Sequence, residues 1–365
     1  MRTLNLIFIL VLIQLVSCST TRGQLDGTVV KMADIPQKNI VMDDVFCDFE
    51  YVSLETTEQS LFGDVNKLIV HDQTYFILDY FTKKLYVFRE DGSFSHTIGK
   101  VGEGPGEYTH LNDFVIDEKK QQIVILSHPS VIYRYDMAGN FIAKKMLDID
   151  PIWKICNYDE GFIGSNNQQS FAQGQDSLLY FFDEDFNVKN AMGTSFPNSA
   201  MPPFVNWPFL KGKENIAYFD ALFSKLYFPK VDGMDDSKSI QFILPKPIPE
   251  ELFSDGQKMM DNQNDYSFFL SAYLSDSILW TRFADQGKQY VFLKDFKSDK
   301  QILSWSEKWW PEILYESDGY FYTAINDEWI LENIIIPSAK QLNKYPIGVD
   351  SNPVILRFKP KPLPE

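Results

Sequence analysis

From residue 46 onward the chain is a succession of short apolar runs separated by polar turns. In the first complete set the runs are 67–70, 74–78, 84–88 and 93–98, with His71-Asp72-Gln73 and Asp91-Gly92 as two of the separators. Runs of four to six residues rich in Val, Ile, Tyr and Phe read as strands. An Asp-Gly step between two of them marks a tight hairpin. Each set therefore predicts four antiparallel strands.

The sets recur. Tyr86-Val87-Phe88-Arg89-Glu90-Asp91-Gly92-Ser93-Phe94 returns at an offset of 47 as Tyr133-Arg134-Tyr135-Asp136-Met137-Ala138-Gly139-Asn140-Phe141. Another 47 brings Tyr180-Phe181-Phe182-Asp183, and a further 47 lands on Tyr227 within Lys225-Leu226-Tyr227-Phe228. The spacing then slips to 63 at Tyr290-Val291-Phe292, as an insertion explains, and Val354-Ile355-Leu356-Arg357-Phe358 is the last anchor. Six units of about 40–50 residues with four strands each are the signature of β-propeller blades. The sixth unit has only three runs, 313–316, 320–325 and 354–358, whereas 46–54 is a run without a unit. Pairing the early run with the last unit closes the ring and removes an open sheet edge. The predicted fold is all-β: a six-bladed β-propeller of four-stranded blades over 41–365, closed by an N-terminal strand in the last blade, with short helical insertions near 250–260 and 327–335.

Ile98-Gly99-Lys100-Val101-Gly102-Glu103-Gly104-Pro105-Gly106-Glu107-Tyr108, followed by strand, Asp, strand and an aromatic-Asp-x-x-Gly hairpin, resembles an NHL-type repeat. With Asn352-Pro353 before the last anchor and the leader described next, the chain resembles a family of six-bladed propeller lipoproteins of Bacteroidetes. The resemblance is clearest in the first two blades. It implies the fold and a place in the cell envelope, and no reaction.

The leader lies outside the fold. Arg2 precedes an apolar stretch from Leu4 to Val16, interrupted only by Asn5 and Gln14. That is short of the roughly 20 apolar residues that span a bilayer. Its end, Leu15-Val16-Ser17-Cys18, resembles a lipobox, so residues 1–17 are expected to be a lipoprotein signal peptide, with Cys18 lipidated. The alternative is an ordinary signal peptide. No Asp follows Cys18, which points to the outer membrane, reached through the lipid anchor alone. Residues 18–40 are expected to form a flexible tether.

Charge narrows the partners. Lys plus Arg number 34 against 50 Asp plus Glu, a net −16, which repels polyphosphates and argues against nucleic acid. Cys47 and Cys156 lie in strand-like runs and are expected to be free thiols; no Cys/His spacing suggests zinc.

In a propeller the strands run A to D outward, so B–C turns and D-to-A crossings share one face, the top. The long connections, 99–107, 195–206, 245–264 and 326–353, all reach it, which places binding there. Gly102-Glu103-Gly104-Pro105-Gly106 lacks the ending of a phosphate loop and carries two glutamates, so it reads as a crossing turn. Asp79 and Asp220 end equivalent B strands, as turn caps or as carboxylates of a polar mouth. His110 and His128 fall near the top in adjacent blades. His71 and His96 fall elsewhere. Trp280 and Arg282, two apart on one strand, share a side and suit a stacking face and an anion clamp. Trp207, Trp305, Trp309, Trp310 and Trp329 cluster near crossings. No catalytic motif appears and no cofactor is expected. The expected function is a non-catalytic binding or scaffolding module for a protein, peptide or glycan through the top face, using Asp79, His110, His128, Asp220, Trp280 and Arg282. The alternative is a channel-mouth lyase or hydrolase, with calcium, using Asp79, Asp220, His110 and His128.

Overall fold

The structure is a computed structural model that describes residues 27–169, 176–196, 199, 205, 207–211, 216–305, 310–326 and 350–364. Six small sheets form a ring. Strands A to D are Lys67–His71, Thr74–Asp79, Lys84–Arg89 and Phe94–Ile98 in blade 1, and Asp113–Asp117, Gln122–Ser127, Val131–Asp136 and Phe141–Met146 in blade 2. Blade 3 has Lys154–Tyr158, Gly161–Ser165, Ser177–Phe182 and Val188–Thr194; blade 4 has Phe209–Lys211, Ile216–Asp220, Lys225–Tyr227 and Ile240–Ile243. Blade 5 has Ser267–Leu274, Ile278–Asp285, Lys288–Asp295 and Gln301–Trp305. Blade 6 takes Tyr315–Ser317, Tyr320–Ile325 and Val354–Pro360 from the end of the chain, and its strand D, Phe46–Ser53, from the beginning. The six-bladed propeller and its closing strand are as the repeat predicts.

The alternation of each strand explains the ring. In strand B of blade 1, Phe76 and Leu78 pack toward blade 2, whereas Tyr75 and Ile77 pack toward blade 6. Both faces of a blade are thus buried against neighbours, so its inner strands read as nearly continuous apolar runs. Six apolar clusters fill the six gaps between blades. The repeated tyrosines are equivalent in this arrangement. Tyr86, Tyr133 and Tyr180 each stand on strand C and face the preceding blade. The C–D hairpins are equivalent as well. Asp136 accepts from the N–H groups of Ala138 and Asn140, and Asp183, 47 residues on, from those of Asp185 and Asn187.

The N-terminal segment departs from expectation. Residues 28–40, predicted as the end of a tether, are laced onto the ring. Thr28–Lys31 adds a fifth, parallel strand to blade 4, pairing Thr28 with Ile240 and Lys31 with Ile243. The chain then bonds to strand D of blade 5, where the Lys38 N–H donates to the Leu303 carbonyl at 2.8 Å. Met32, Ile40, Met42 and Val45 are buried on the way to the closing strand. The β-branched run Thr28-Val29-Val30 was the signal, masked by polar neighbours.

The insertion expected near 250–260 holds a 3-10 turn, Glu250–Leu252, and a short helix, Gly256–Asp261, capped by the Asp255 side chain. The helix expected at 327–335 lies outside the described residues, as do Trp309, Trp329 and Cys18. Cys47 and Cys156 are both free. In the 99–107 crossing, Gly99 and Gly106 take φ of +65° and +75°, the left-handed region that favours glycine.

Candidate functional site

The innermost strands of the six blades surround a central channel, a cavity of about 490 Å³. Strand A runs from top to bottom in every blade, so its first residue stands at the upper end. In blades 1, 2 and 3 that residue is charged: Lys67, Asp113 and Lys154. The ring brings these three together although 46 and 41 positions separate them. The Lys67 ammonium sits 2.5 Å from Asp113 Oδ1 and also donates to the Phe114 carbonyl at 2.8 Å. Asp113 is 1% exposed and its other oxygen accepts from the Ile155 N–H at 2.8 Å. The buried carboxylate thus has hydrogen-bond donors on both oxygens, as burial of a polar group requires.

Lys154 completes the cluster. Its ammonium nitrogen lies 2.6 Å from the Tyr80 hydroxyl oxygen and 3.8 Å from the centre of the Trp207 ring. Tyr80 and Trp207 stack on each other at 6.2 Å, and the Tyr80 hydroxyl donates to the Asn112 carbonyl. Burial, reinforced by the neighbouring Lys67 charge and opposed by Asp113, pushes Lys154 down to about 7.

The lower end has the opposite character. Glu118, Asp276, Glu316 and Asp318 line it, and Lys211 also borders the channel. Burial pushes Glu316 upward, opposed by a bond from the Tyr273 hydroxyl at 3.4 Å. Here the channel continues into a second hollow of about 760 Å³ on the bottom face, which shares His71, Glu118, Tyr315 and Asp318 and is walled by Tyr75, Tyr320 and Tyr322.

The residues singled out from sequence scatter. Asp79 is fully buried and caps its turn, accepting from the Phe81 and Thr82 N–H groups and the Thr82 hydroxyl. Asp220 does the same in blade 4, accepting from the Phe223 N–H at 3.2 Å and from the Gln168 amide at 2.7 Å. Neither carboxylate lines the channel. Trp280 is not at the mouth: it is 0% exposed, wedged between blades 5 and 6 against Phe46 and Trp310. Arg282 shares that side of the strand, but it is buried as well, where Glu312 faces it. His110 and His128 do meet on the top face, with ring centres 6.1 Å apart and His128 stacked on Trp153. Among the described residues no three His, Cys, Asp or Glu side chains form a group able to hold a metal. Lys67, Asp113, Lys154 and Tyr80 went unnoticed in the sequence. The available signal was a charge opening an otherwise apolar strand A in three successive blades.

Asp220 gives a stability prediction. Burial, the largest influence, raises its carboxyl to about 6 against opposing hydrogen bonds, from the ordinary 3.8. Between these values the folded protein holds a proton that the unfolded chain has released. Stability from this group is therefore present at low pH and is lost as pH rises from about 4 to about 6. Asp220→Asn retains an acceptor and is expected to remove that decline, on the order of 2–3 kcal/mol. Urea midpoints at pH 4 and pH 7 measure it; parallel pH profiles of variant and parent would contradict it.

No curated protein sequence matches the chain. Among solved structures it is similar to a Bacteroides fragilis protein designated as exported, with a TM-score of 0.75 at 16% identity over 92% of this chain and 99% of that one. It is also similar to a member of the DUF4221 family from Bacteroides vulgatus, with a TM-score of 0.50 at 11% identity over 86% and 99% of the two chains. At such identities the likeness is one of fold. A family description, the domain of unknown function DUF4934, matches residues 28–359, from the strand laced onto blade 4 to the last strand of blade 6, and the chain belongs to that family.

Proposed function

We propose that this protein is a non-catalytic binding module of the bacterial envelope, exported by its leader, held to the membrane through a lipid on Cys18, and receiving part of a peptide or glycan ligand in its channel. The observation that carries the binding role is the channel itself: about 490 Å³, reached by all six blades, cationic and aromatic at one end and carboxylate-rich at the other. Cavities of about 300–1,000 Å³ with a few converging polar groups are typical small-ligand sites. The Bacteroides fragilis relative supports the export reading by its designation.

The laced N-terminus supports an orientation. Thr28–Lys31 runs parallel to strand D of blade 4, which rises from bottom to top, so the chain reaches the ring at the bottom edge. Residues 18–27 extend to about 35 Å at most. A lipid on Cys18 would thus hold the bottom face near the bilayer and turn the top face, with its long connections and the His110–His128–Trp153 group, outward.

The test is a peptide and glycan array probed with protein lacking residues 1–18, repeated with Asn157→Trp. Asn157 lines the channel from blade 3, and a bulky side chain there occupies the space. A ligand whose affinity falls about tenfold or more, with thermal unfolding unchanged, is the expected result. Equal binding by the folded variant would remove the channel from the function. Palmitate incorporation lost in Cys18→Ala checks the anchor.

A further inference from the structure

Lys154 is a buried amine whose contacts are a hydroxyl and aromatic rings. It is 7% exposed, lines the channel, and lies over Trp207 beside the Tyr80 hydroxyl. The carboxylate that faces it, Asp113, is already taken by the Lys67 ammonium at 2.5 Å and by the N–H groups of Phe114 and Ile155. Lys67 itself stands 5.0 Å from the same Trp207 ring. A desolvated lysine next to a second cation is the arrangement that frees an amine lone pair near neutral pH. Removal of the amine would leave the Lys67–Asp113 pair and the Tyr80–Asn112 bond in place and give up its own bond to the Tyr80 hydroxyl and its contact with Trp207.

We infer that Lys154 captures an aldehyde in the channel as a reversible imine. This rests on the channel reading above and supplies the chemical class of the ligand. The Nζ lone pair attacks the carbonyl carbon and forms the C–N bond, while the carbonyl π pair moves to oxygen, which takes up a proton; the Lys67 ammonium is the acid at hand. The nitrogen of the adduct returns one proton to Lys67, giving the neutral carbinolamine. Its C–O bond then breaks as the nitrogen lone pair forms C=N, the oxygen leaves as water on taking a second proton from Lys67, and the remaining N–H proton restores the Lys67 ammonium. Amine plus aldehyde gives imine plus water, with nothing oxidised or reduced, and water reverses it. The body of the aldehyde rests in the cavity against Trp207. The charged groups facing the amine are Lys67 from blade 1 and Asp113 from blade 2, with the Tyr80 hydroxyl above it. Burial outweighs the attraction of Asp113, and Lys67 adds to it, so a share of the amine is unprotonated near pH 7.

The purified protein is incubated with 4-hydroxybenzaldehyde from pH 6 to pH 10, reduced with cyanoborohydride and mapped by peptide mass spectrometry. At pH 7.5 the Lys154 adduct is expected to exceed that at Lys100, whose side chain is 79% exposed, by about tenfold or more. Its rate should level off above about pH 8 while that of free Nα-acetyl-lysine in the same buffers climbs to pH 10. Lys154→Met and Lys154→Arg should both lose the fast adduct, the second retaining the charge should the first not fold. Labelling of Lys154 no faster than Lys100, or a rate still climbing at pH 10, overturns the inference. Tryptophan quenching that disappears in Trp207→Phe reports occupation of the channel independently of the covalent step. Quenching without an adduct therefore overturns the imine alone, whereas neither signal removes the channel reading too. Maltotriose as the probe separates the two sources of an aldehyde: an adduct assigns the site to sugar reducing ends, and an adduct with the benzaldehyde only assigns it to free aldehydes.

Discussion

Trp280→Ala is expected to lower the stability of the protein by about 3–5 kcal/mol. The side chain is 0% exposed and fills the gap between blades 5 and 6, where its ring lies 5.3 Å from Phe46 and 5.4 Å from Trp310. Phe46 is the first residue of the closing strand, and it also contacts Phe358 at 4.5 Å and Phe321 at 6.0 Å. Removing the indole opens a void under the place where the two ends of the chain meet. A rigid ring cannot collapse into such a void, which puts the cost toward the upper end of the range. Among the described residues the indole N–H has no hydrogen-bond partner, so Trp280→Phe gives up volume but no polar contact there and should cost less than half as much. Chemical denaturation with both variants decides this. A loss below about 1 kcal/mol for alanine would mean the seam is loosely packed.

The residue that shows how the sequence misleads is this same tryptophan. Its spacing from Arg282 correctly puts both side chains on one side of a strand. What the spacing cannot say is whether that side faces the channel or the next blade. In a propeller both faces of the inner strands are buried, so alternation carries no inside-versus-outside information there. Asp79 and Asp220 are the turn caps that the sequence suggests, and only their reading as carboxylates of a polar mouth fails. Their equivalence is real, but it reflects a repeated turn whose backbone N–H groups need a side-chain acceptor, and repeats preserve scaffolding as readily as sites.

The tyrosine period was legible because each copy solves the same packing problem against the preceding blade, and the closing strand because a three-run unit and an orphan run complement each other. The channel was not. Lys67, Asp113 and Lys154 look like unremarked charges at loop ends, and their interaction exists only once the ring has turned through three blades. Coulombic partners brought together by rotation leave no local spacing, unlike a metal-binding or helical pair. Reading down the first position of every strand A, in place of reading along the chain, is the view that recovers them.

Removing residues 27–54 is expected to abolish cooperative folding rather than merely weaken it. Strand D of blade 6 is held by antiparallel pairing from Phe46–Pro360 to Ser53–Val354, and its loss exposes the whole edge of Val354–Pro360. Asn352 keeps its bonds to the Phe62 N–H and to the carbonyls of Glu55 and Ser60, which lie beyond the cut, but this clasp at the start of blade 1 does not cover the edge. The apolar seam around Phe46 would then be open, against a total stability of about 5–15 kcal/mol for an ordinary domain. An unpaired strand edge of that length also recruits other chains. The truncated protein should therefore aggregate, with a broad, non-cooperative thermal transition by circular dichroism. The defect should be one of closure and not of missing sequence. Because Phe46 lies beside Pro360, residues 40–54 fused behind Glu365 through a flexible Gly/Ser linker can reoccupy the same edge, and this permuted chain should melt cooperatively. A truncated protein that melts as sharply as the parent would show that the ring does not depend on its leading strand, and a permutant no better than the truncation would place the missing stability in the strand laced onto blade 4.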